Sequence, residues 1–529
     1  MLLASAIASC LSGCAPGQMF QTGGAPRTVE ARPGAGGSGP YRVVLRDLPT
    51  ASAGSRAIDD DAEQHRPVNL DAARWGLQPR VVRGREVSVS EGKVALRPLR
   101  RLTPKDATFG ATLNRDGEID VTGANNGSEI MTISDAGFVD VVSASGLVKR
   151  VSQHDFYCSS GLPACSGPGQ GAVDDRITYD PGSQRWIVTA MYLSAGTGRT
   201  PVIIAVSQTS DPTGAYNLYQ FSACGPNHVG DTDQPHTGFN ANWIVVDAAC
   251  QSSEPSLTVF DKNNLYNGGS LTASTYWQFV DPVSSGGNNH DNPVLTYGTP
   301  VDGREYLTAS AIVAGSAAVV YSYVDGTVDA PTFTAGFTQV DTSFAATGPV
   351  PVDAPGCSGC INTFSNGVIH SSTVSGPWLL STMMLGDPRF ARSTQAVQVA
   401  YNLQTSTVTS QQFAGGVAGA GILASEIAMQ AVPNTTFNSA ILAYGRSRSD
   451  YFPGVRIAQW NIDTNAMTYV NEVQQGTKLP SAANQNRWLD FMGAISPVPN
   501  GSSMVASGPV ATASPSDPDR SDVWALFLP

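Results

Sequence analysis

The stretch Asp174-Asp-Arg-Ile-Thr-Tyr-Asp-Pro-Gly-Ser-Gln-Arg-Trp186, continued by Ile187-Val-Thr189, places runs of β-prone residues on both sides of an Asp-Pro-Gly turn. Proline pre-sets the turn's φ and glycine tolerates the left-handed region, so the segment reads as two antiparallel strands joined by a hairpin. Similar runs recur as Trp243-Ile-Val-Val246, Ala318-Val-Val-Tyr-Ser-Tyr-Val324, Trp378-Leu-Leu-Ser-Thr-Met-Met384 and Ser439-Ala-Ile-Leu-Ala-Tyr444, separated by Asn-Gly-Gly, Asp-Gly and Pro-Asn turns. No long stretch repeats its apolar residues every 3.6 positions. The chain is therefore predicted to be all-β.

Outward from Asp174, an acidic residue opens a strand at regular intervals. Asp174, Asp233 and Asp291 are spaced by 59 and 58 residues, and Glu426 and Asp490 by 64. The gap between Asp291 and Glu426 has room for two units, with a further opener near Asn362, and an earlier unit starts near Ala111. Residues 104–529 then hold seven units of about 60 residues, longer than the minimal four-stranded blade. One four-stranded meander cannot cover both its faces, whereas seven packed radially cover one another and leave only short edges. The expectation is a seven-bladed β-propeller. Tandem β-sandwich domains are the alternative, with similar strands and no regular period.

The unit 174–186, with Ile204-Ala-Val-Ser-Gln-Thr-Ser-Asp-Pro-Thr-Gly-Ala-Tyr216, resembles the recurring blade of a poorly characterised family of bacterial secreted or lipoprotein β-propellers. In that family a strand with Asp and Tyr-Asp leads to Arg-Trp, then to a Ser-Thr-Asp-Pro-Thr-Gly hairpin closed by an aromatic residue. Asp233-Gln-Pro-His236, Val259-Phe-Asp-Lys262 and Asn486-Arg-Trp-Leu-Asp-Phe491 are similar pieces. The resemblance implies the propeller fold over about 110–529 and brings almost no biochemistry with it. Such propellers are loosely similar to sialidase propellers, but the Ser-x-Asp-x-Gly-x-x-Trp boxes are missing, the nearest being Ser134-Asp-Ala-Gly137.

Composition agrees with a turn-rich β chain. Of 529 residues, 54 are Gly and 35 Pro, while only 14% are charged, too few for a coiled coil or a charged disordered chain. The formal net charge of −12 opposes binding to nucleic-acid phosphates. No run of eighteen apolar residues is present, so no segment reads as a membrane span.

Met1 to Leu11 is apolar and is followed by Ser12-Gly13-Cys14. Leu-Ser-Gly-Cys resembles the lipobox of bacterial lipoproteins, which implies cleavage before Cys14 and its lipidation; an ordinary secretory signal is the alternative. Either reading exports the chain, and the first places it in the bacterial cell envelope as an outer-membrane lipoprotein. The expected organisation is a signal with lipobox at 1–14, a flexible Gly/Pro/Ala-rich tether at 15–60, a basic lead-in at 61–103 and the propeller at 104–529. The lead-in carries Arg74, Arg80, Arg83, Arg85, Arg97, Arg100 and Arg101, read as a solvated hairpin or as a contact to anionic lipid. Cysteine usage fits export. Beyond Cys10 and Cys14, six cysteines fall into the neighbouring couples Cys158 and Cys165, Cys224 and Cys250, Cys357 and Cys360, which read as local disulfides. Cys357-Ser-Gly-Cys360 also fits a redox pair or half a zinc site, but no second CxxC accompanies it.

If the strand openers converge, Asp174, Asp233, Asp291, Glu426 and Asp490 ring one channel mouth, with Arg176, His236, His290 and Arg487 nearby as ligand-binding groups. Facing carboxylates repel unless protons, arginines or a metal neutralise them, so Asp233, Asp291 and Asp490 are candidate Ca²⁺ ligands. The alternative is that each Asp caps its own turn. A carboxylate pair could also serve glycoside hydrolysis. The chain has no Gly-x-Ser-x-Gly elbow, His-Glu-x-x-His or phosphate loop, which argues against serine-hydrolase, zinc-protease and nucleotide chemistry. Tyr451, before Phe452-Pro453, is the aromatic most expected to be exposed for sugar stacking. These readings favour a cell-surface propeller that binds a glycan or envelope protein, with a glycan-degrading hydrolase or lyase as the competing possibility.

Overall fold

The computed structural model describes residues 27–51, 80–90, 108–110, 121–134, 137–143, 145–166, 171–193, 200–225, 232–250, 255–282, 292–297, 302–348, 350–361, 369–414, 418–429, 439–474, 476–479, 493–497, 504–509 and 521–526. Strands dominate these residues, and no helix among them is long and apolar enough to cross a membrane.

The hairpin quoted first shows why the strands form where they do. Gly171–Asp180 pairs antiparallel with Arg185–Leu193. Asp180 Oδ1 accepts from the backbone N–H groups of Gly182 (2.9 Å) and Ser183 (3.1 Å), closing the turn as an Asx cap. Tyr179 and Trp186 face each other at its base with ring centroids 4.9 Å apart, and Trp186 Nε1 donates to the Ser210 carbonyl at 2.9 Å. In the next hairpin Asp211 Oδ1 accepts from Thr213 N at 2.8 Å, and Tyr216 OH donates to the Pro212 carbonyl at 2.9 Å. Short polar side chains thus satisfy the turn backbone and leave the aromatics for the core.

Successive antiparallel meanders occupy residues 121–152, 171–221, 232–279, 292–345, 369–414, 421–474 and 493–526. Each lies against the next through its innermost strand, and Gly493–Pro497 of the last lies against Val121–Asn125 of the first, so the succession closes. Thr108–Gly110 adds antiparallel to Ser521–Leu526, joining early chain to late chain in one sheet. The protein is all-β with a β-propeller arrangement.

Strand pairing does not divide the described residues into seven separate four-stranded sheets. It yields three four-stranded sheets, one sheet each of five, six and eleven strands, and a two-stranded ribbon, Val352–Ala354 with Cys357–Ile361. The eleven-stranded sheet exists because Leu295–Tyr297 pairs in parallel with both Thr232–Phe239 and Ile369–Ser375, fusing two meanders. The core lies between meanders: Phe156, Trp186 and Tyr216 in one layer, Trp243, Leu307 and Phe333 in another, Tyr321, Leu379 and Tyr401 in a third. Each such ring or branched side chain contributes about 1.5 to 3 kcal/mol by leaving water.

The segment expected to be a loose tether is built into the body over residues 27–51. Arg27–Val29 pairs with Ala330–Ala345, Arg32–Pro33 with Tyr276–Phe279, and Ser38–Val44 with Ala215–Phe221, so the chain runs along the outer edges of three successive meanders. Its glycines permit close approach: a Cβ at Gly34 would stand 2.1 Å from the Tyr276 ring. Composition suggested flexibility, yet these glycines let backbone press on the rim. Residues 80–90 also depart from the expected hairpin. Arg80–Val82 pairs in parallel with Ala330–Ala345 and Arg85–Ser90 in parallel with Val408–Ala414, each strand completing an outer edge that otherwise presents unpaired N–H and C=O groups.

The sulfurs of all three cysteine couples stand at disulfide distance: 2.01 Å for Cys158–Cys165, 1.97 Å for Cys224–Cys250 and 2.30 Å for Cys357–Cys360.

Candidate functional site

The innermost strands bulge at one recurring place. Pairing shifts register between Val173 and Arg176, Asp233 and His236, Ile369 and Ser371, Leu423 and Ser425, and Gly493 and Ser496. A bulge adds a residue to one strand, bends it and re-aims the side chains that follow. The first residue past each shift is thus structurally equivalent: Arg176, His236, Ser371, Ser425 and Ser496. In the first two strands the bulge holds a non-glycine residue at positive φ, Asp174 at 54° and Gln234 at 44°. Such geometry is uncommon and is held here by surrounding hydrogen bonds.

Three of these strands, those of Arg176, His236 and Ser371, join those of Thr122 and Asn292 around a cavity lined by Thr122, Arg176, Thr178, His236, Asn292, Ser371 and neighbours, contributed by the innermost strands of five successive meanders. The space open to water centres is about 50 Å³, room for roughly three or four waters. It cannot enclose a sugar ring, although it can admit one polar substituent. Arg176 Nη2 and the buried His236 Nε2 meet at 2.8 Å across the junction of two meanders. With the guanidinium as donor, that ring nitrogen is the acceptor and the tautomer is fixed with its proton on Nδ1. Arg176 is the one charged side chain among the described lining residues; Ile177 and Leu295 are apolar, and the others offer hydroxyl, amide and imidazole groups.

Hydrogen bonds between meanders hold the walls. Thr122 Oγ1 donates to the Asp175 carbonyl at 3.2 Å, and Asn292 Nδ2 to the Ile369 carbonyl at 2.9 Å. Thr237 Oγ1 donates to Thr189 Oγ1 at 2.6 Å, and the Thr308 and Ser372 hydroxyls lie 2.6 Å apart. Behind the cavity the buried Asp175 carboxylate accepts from Gln153 Nε2 and Tyr157 OH. The cavity is therefore pre-formed rather than assembled by loops.

The expected carboxylate ring is not formed by its described members. Asp174 lies two residues before the equivalent position and Asp233 three before it, while Glu426 lies one after it, so the three occupy different places in the repeat. The equivalent of Asp174 is Gln234, 60 residues on, and the 59-residue spacing to Asp233 is one residue out of register. A one-residue slip on a strand exchanges its two faces. Asp174 Oδ2 accepts from Gln234 N of the neighbouring strand at 3.2 Å. Both Asp174 and Asp233 are buried and neither lines the cavity. Glu426 lies on Gly421–Met429. Asp291, Asp490, His290, Arg487 and Cys14 fall outside the described residues. Among those described, no three His, Cys, Asp or Glu side chains cluster in a way that could hold a metal, so the Ca²⁺ expectation gains no ligand set.

Tyr451 also differs from expectation. It begins the strand Tyr451–Asn461 and is buried, with the Arg446 guanidinium 4.6 Å and the Arg456 guanidinium 5.1 Å from its ring centre. The arginines cover the aromatic faces that sugar stacking would need. Thr122, Asn292 and Ser371 were missed because Thr, Asn and Ser are unremarkable in a β chain. The 60-residue separation of Arg176 and His236 was the available signal.

No protein-family model and no curated protein sequence matches the chain. Among solved structures it is similar to an exo-β-1,3-galactanase from Clostridium thermocellum, at 12% identity and TM-score 0.29, over 58% of this chain and 64% of that one. The chain thus spans less than two thirds of the galactanase's length. It is also similar to the N11 neuraminidase-like protein of A/flat-faced bat/Peru/033/2010, at 11% identity and TM-score 0.32, over 71% and 91%. A third is Drosophila Semaphorin 1b, extracellular domains 1–2, at 8% and 0.35, over 79% and 86%. These proteins differ in activity, and likeness at this level carries no functional argument.

Proposed function

We propose that the chain is an exported, lipid-anchored propeller of seven blades that acts as a binding module in the bacterial envelope. It recognises a glycan or a glycan-bearing envelope partner at the end of the channel where Arg176 and His236 meet. The observation that carries this reading is the Arg176–His236 contact inside a pre-formed cavity lined by hydroxyl and amide side chains beside the apolar Ile177 and Leu295. Small sites of this kind fix orientation with a few convergent polar groups, while the rest of the ligand lies across the face. The blade count is supported by the meanders between residues 121 and 526 and by the recurring bulge. Export and anchoring rest on the Leu-Ser-Gly-Cys sequence ending at Cys14 and on the paired cysteines.

Binding is favoured over turnover because the described residues that line the cavity include no carboxylate, whereas glycoside hydrolysis needs two across the scissile bond. The test is a glycan array probed with the wild type and with Arg176→Gln and His236→Gln, beside an assay for released sugar. Retention of one glycan class, lost by roughly tenfold or more in both variants, with no released sugar, supports the reading. Equal binding by all three proteins, or turnover by the wild type, overturns it.

A further inference from the structure

The N-terminal arm changes the charge of one side of an acidic protein. Arg27, Arg80, Arg83 and Arg85 are exposed and lie on the outer edges of two neighbouring meanders. Arg27 stands opposite Ala335 and Arg80 opposite Thr338 on the same strand, while Arg85 stands opposite Thr409 on the next meander. Arg83 pairs with Asp341 at 3.6 Å, whereas Arg27, Arg80 and Arg85 make no ion pair among the described residues. Against these four arginines stand Glu30, Glu86 and Asp341, so this rim keeps an excess of one positive charge in a chain of net −12.

Arg27 is also the paired residue of the arm nearest to Cys14 in sequence among the described residues. Cys14 precedes it by thirteen residues, a reach of at most about 45 Å when fully extended. A lipid on Cys14 therefore holds this rim close to the bilayer, and not at the end of a 46-residue tether. The Debye length of about 8 to 10 Å lets three or four arginines at the surface act while the acidic remainder is screened.

We infer that the rim carrying Arg27, Arg80 and Arg85 is a membrane-docking surface for anionic phospholipid, orienting the propeller edge-on so that the Arg176–His236 mouth opens along the membrane. To the lipid this adds an electrostatic contact, in which Arg27 of the arm joins Arg80 and Arg85 of the lead-in on one rim. It rests on the anchored reading above, and the experiment separates the two.

The test uses residues 15–529, which retain every described residue and lack the anchor, sedimented with vesicles of phosphatidylcholine with and without phosphatidylglycerol. Binding is expected only with phosphatidylglycerol and weakens as salt rises. Each neutralised arginine is expected to cost about fivefold, so the triple variant Arg27→Gln, Arg80→Gln, Arg85→Gln loses roughly a hundredfold. The matching Arg→Lys variant keeps the charge and retains binding, which distinguishes charge from misfolding. Equal binding to neutral vesicles, no loss in the Gln variant, or arginine-dependent retention on a soluble anionic polysaccharide without vesicle binding overturns the proposal. The mass of the chain purified from cells reports lipidation at Cys14 separately: an unlipidated chain with intact vesicle binding removes the anchor and leaves the docking rim.

Discussion

Lys262 Nζ lies 2.9 Å from Asp180 Oδ2 with both side chains buried, tying the helix Lys262–Tyr266 of one meander to the first hairpin of its neighbour. Tyr266 OH donates to the same carboxylate oxygen at 3.0 Å, and Lys262 also donates to the Asn240 carbonyl. The other oxygen, Oδ1, closes the Asx turn. One carboxylate thus serves hairpin geometry and inter-meander contact together. Removing one partner of a buried pair leaves the other's charge desolvated, which costs about 3 to 5 kcal/mol. Lys262→Met is expected to destabilise by that amount, and adding Asp180→Asn recovers part of it. A urea-unfolding cycle over the two singles and the double checks this; simple additivity would show that the residues do not interact.

Glu305 gives stability an unusual pH dependence. Its carboxyl is fully buried, and burial raises its pKa well above the ordinary carboxylate range, against the opposing effects of the Lys262 charge and the Val294 backbone N–H. The folded state therefore holds a proton that the unfolded chain releases. This contribution is complete below the unfolded pKa and falls away as pH rises towards the folded one. Stability at this position declines as pH rises from the ordinary carboxylate range, and Glu305→Gln is expected to flatten the decline and stabilise the protein near neutrality. Chemical melts across pH 4 to 8 measure the slope; an unchanged slope in the variant excludes Glu305 as its source.

Close approach of the arm to the rim gives a third prediction. A Cβ at Gly84 would stand 1.9 Å from the Val408 carbonyl oxygen, and backbone cannot move aside as a side-chain tip can. Gly34→Ala and Gly84→Ala are each expected to cost about 1 to 3 kcal/mol by overpacking. They should also speed amide exchange in 27–44 and 80–90 respectively while leaving the innermost strands protected. Uniform exchange in both variants would count against a local effect.

The cysteine couples differ in the loop that each closes. On chain entropy the 26-residue separation of Cys224 and Cys250 is worth about 3.5 kcal/mol, against about 2.5 kcal/mol for the 7-residue separation of Cys158 and Cys165. Replacing Cys224 and Cys250 by Ala should lower Tm more than replacing Cys158 and Cys165. The reverse order would mean that native-state packing, and not loop entropy, sets their value.

What the sequence determined by itself was local. Asp180-Pro-Gly-Ser183 fixes a hairpin because its side chain and ring act within four residues, and runs of β-branched and aromatic residues such as Ala318–Val324 fix strands because such side chains fit a pleated surface. The recurrence near 60 residues followed from the same local signals, and with it the all-β class and the propeller arrangement. Tertiary structure decided which residues of those strands meet. Arg176 and His236 come together because each follows a bulge, and a bulge is set by pairing with another strand; read without it, the count from Asp174 fell on Asp233, the equivalent of Val173, one residue short of Gln234. Likewise Gly34 and Gly84 look like linker residues until the rim they touch is in place, since composition records which side chains are absent but not what occupies the space they leave.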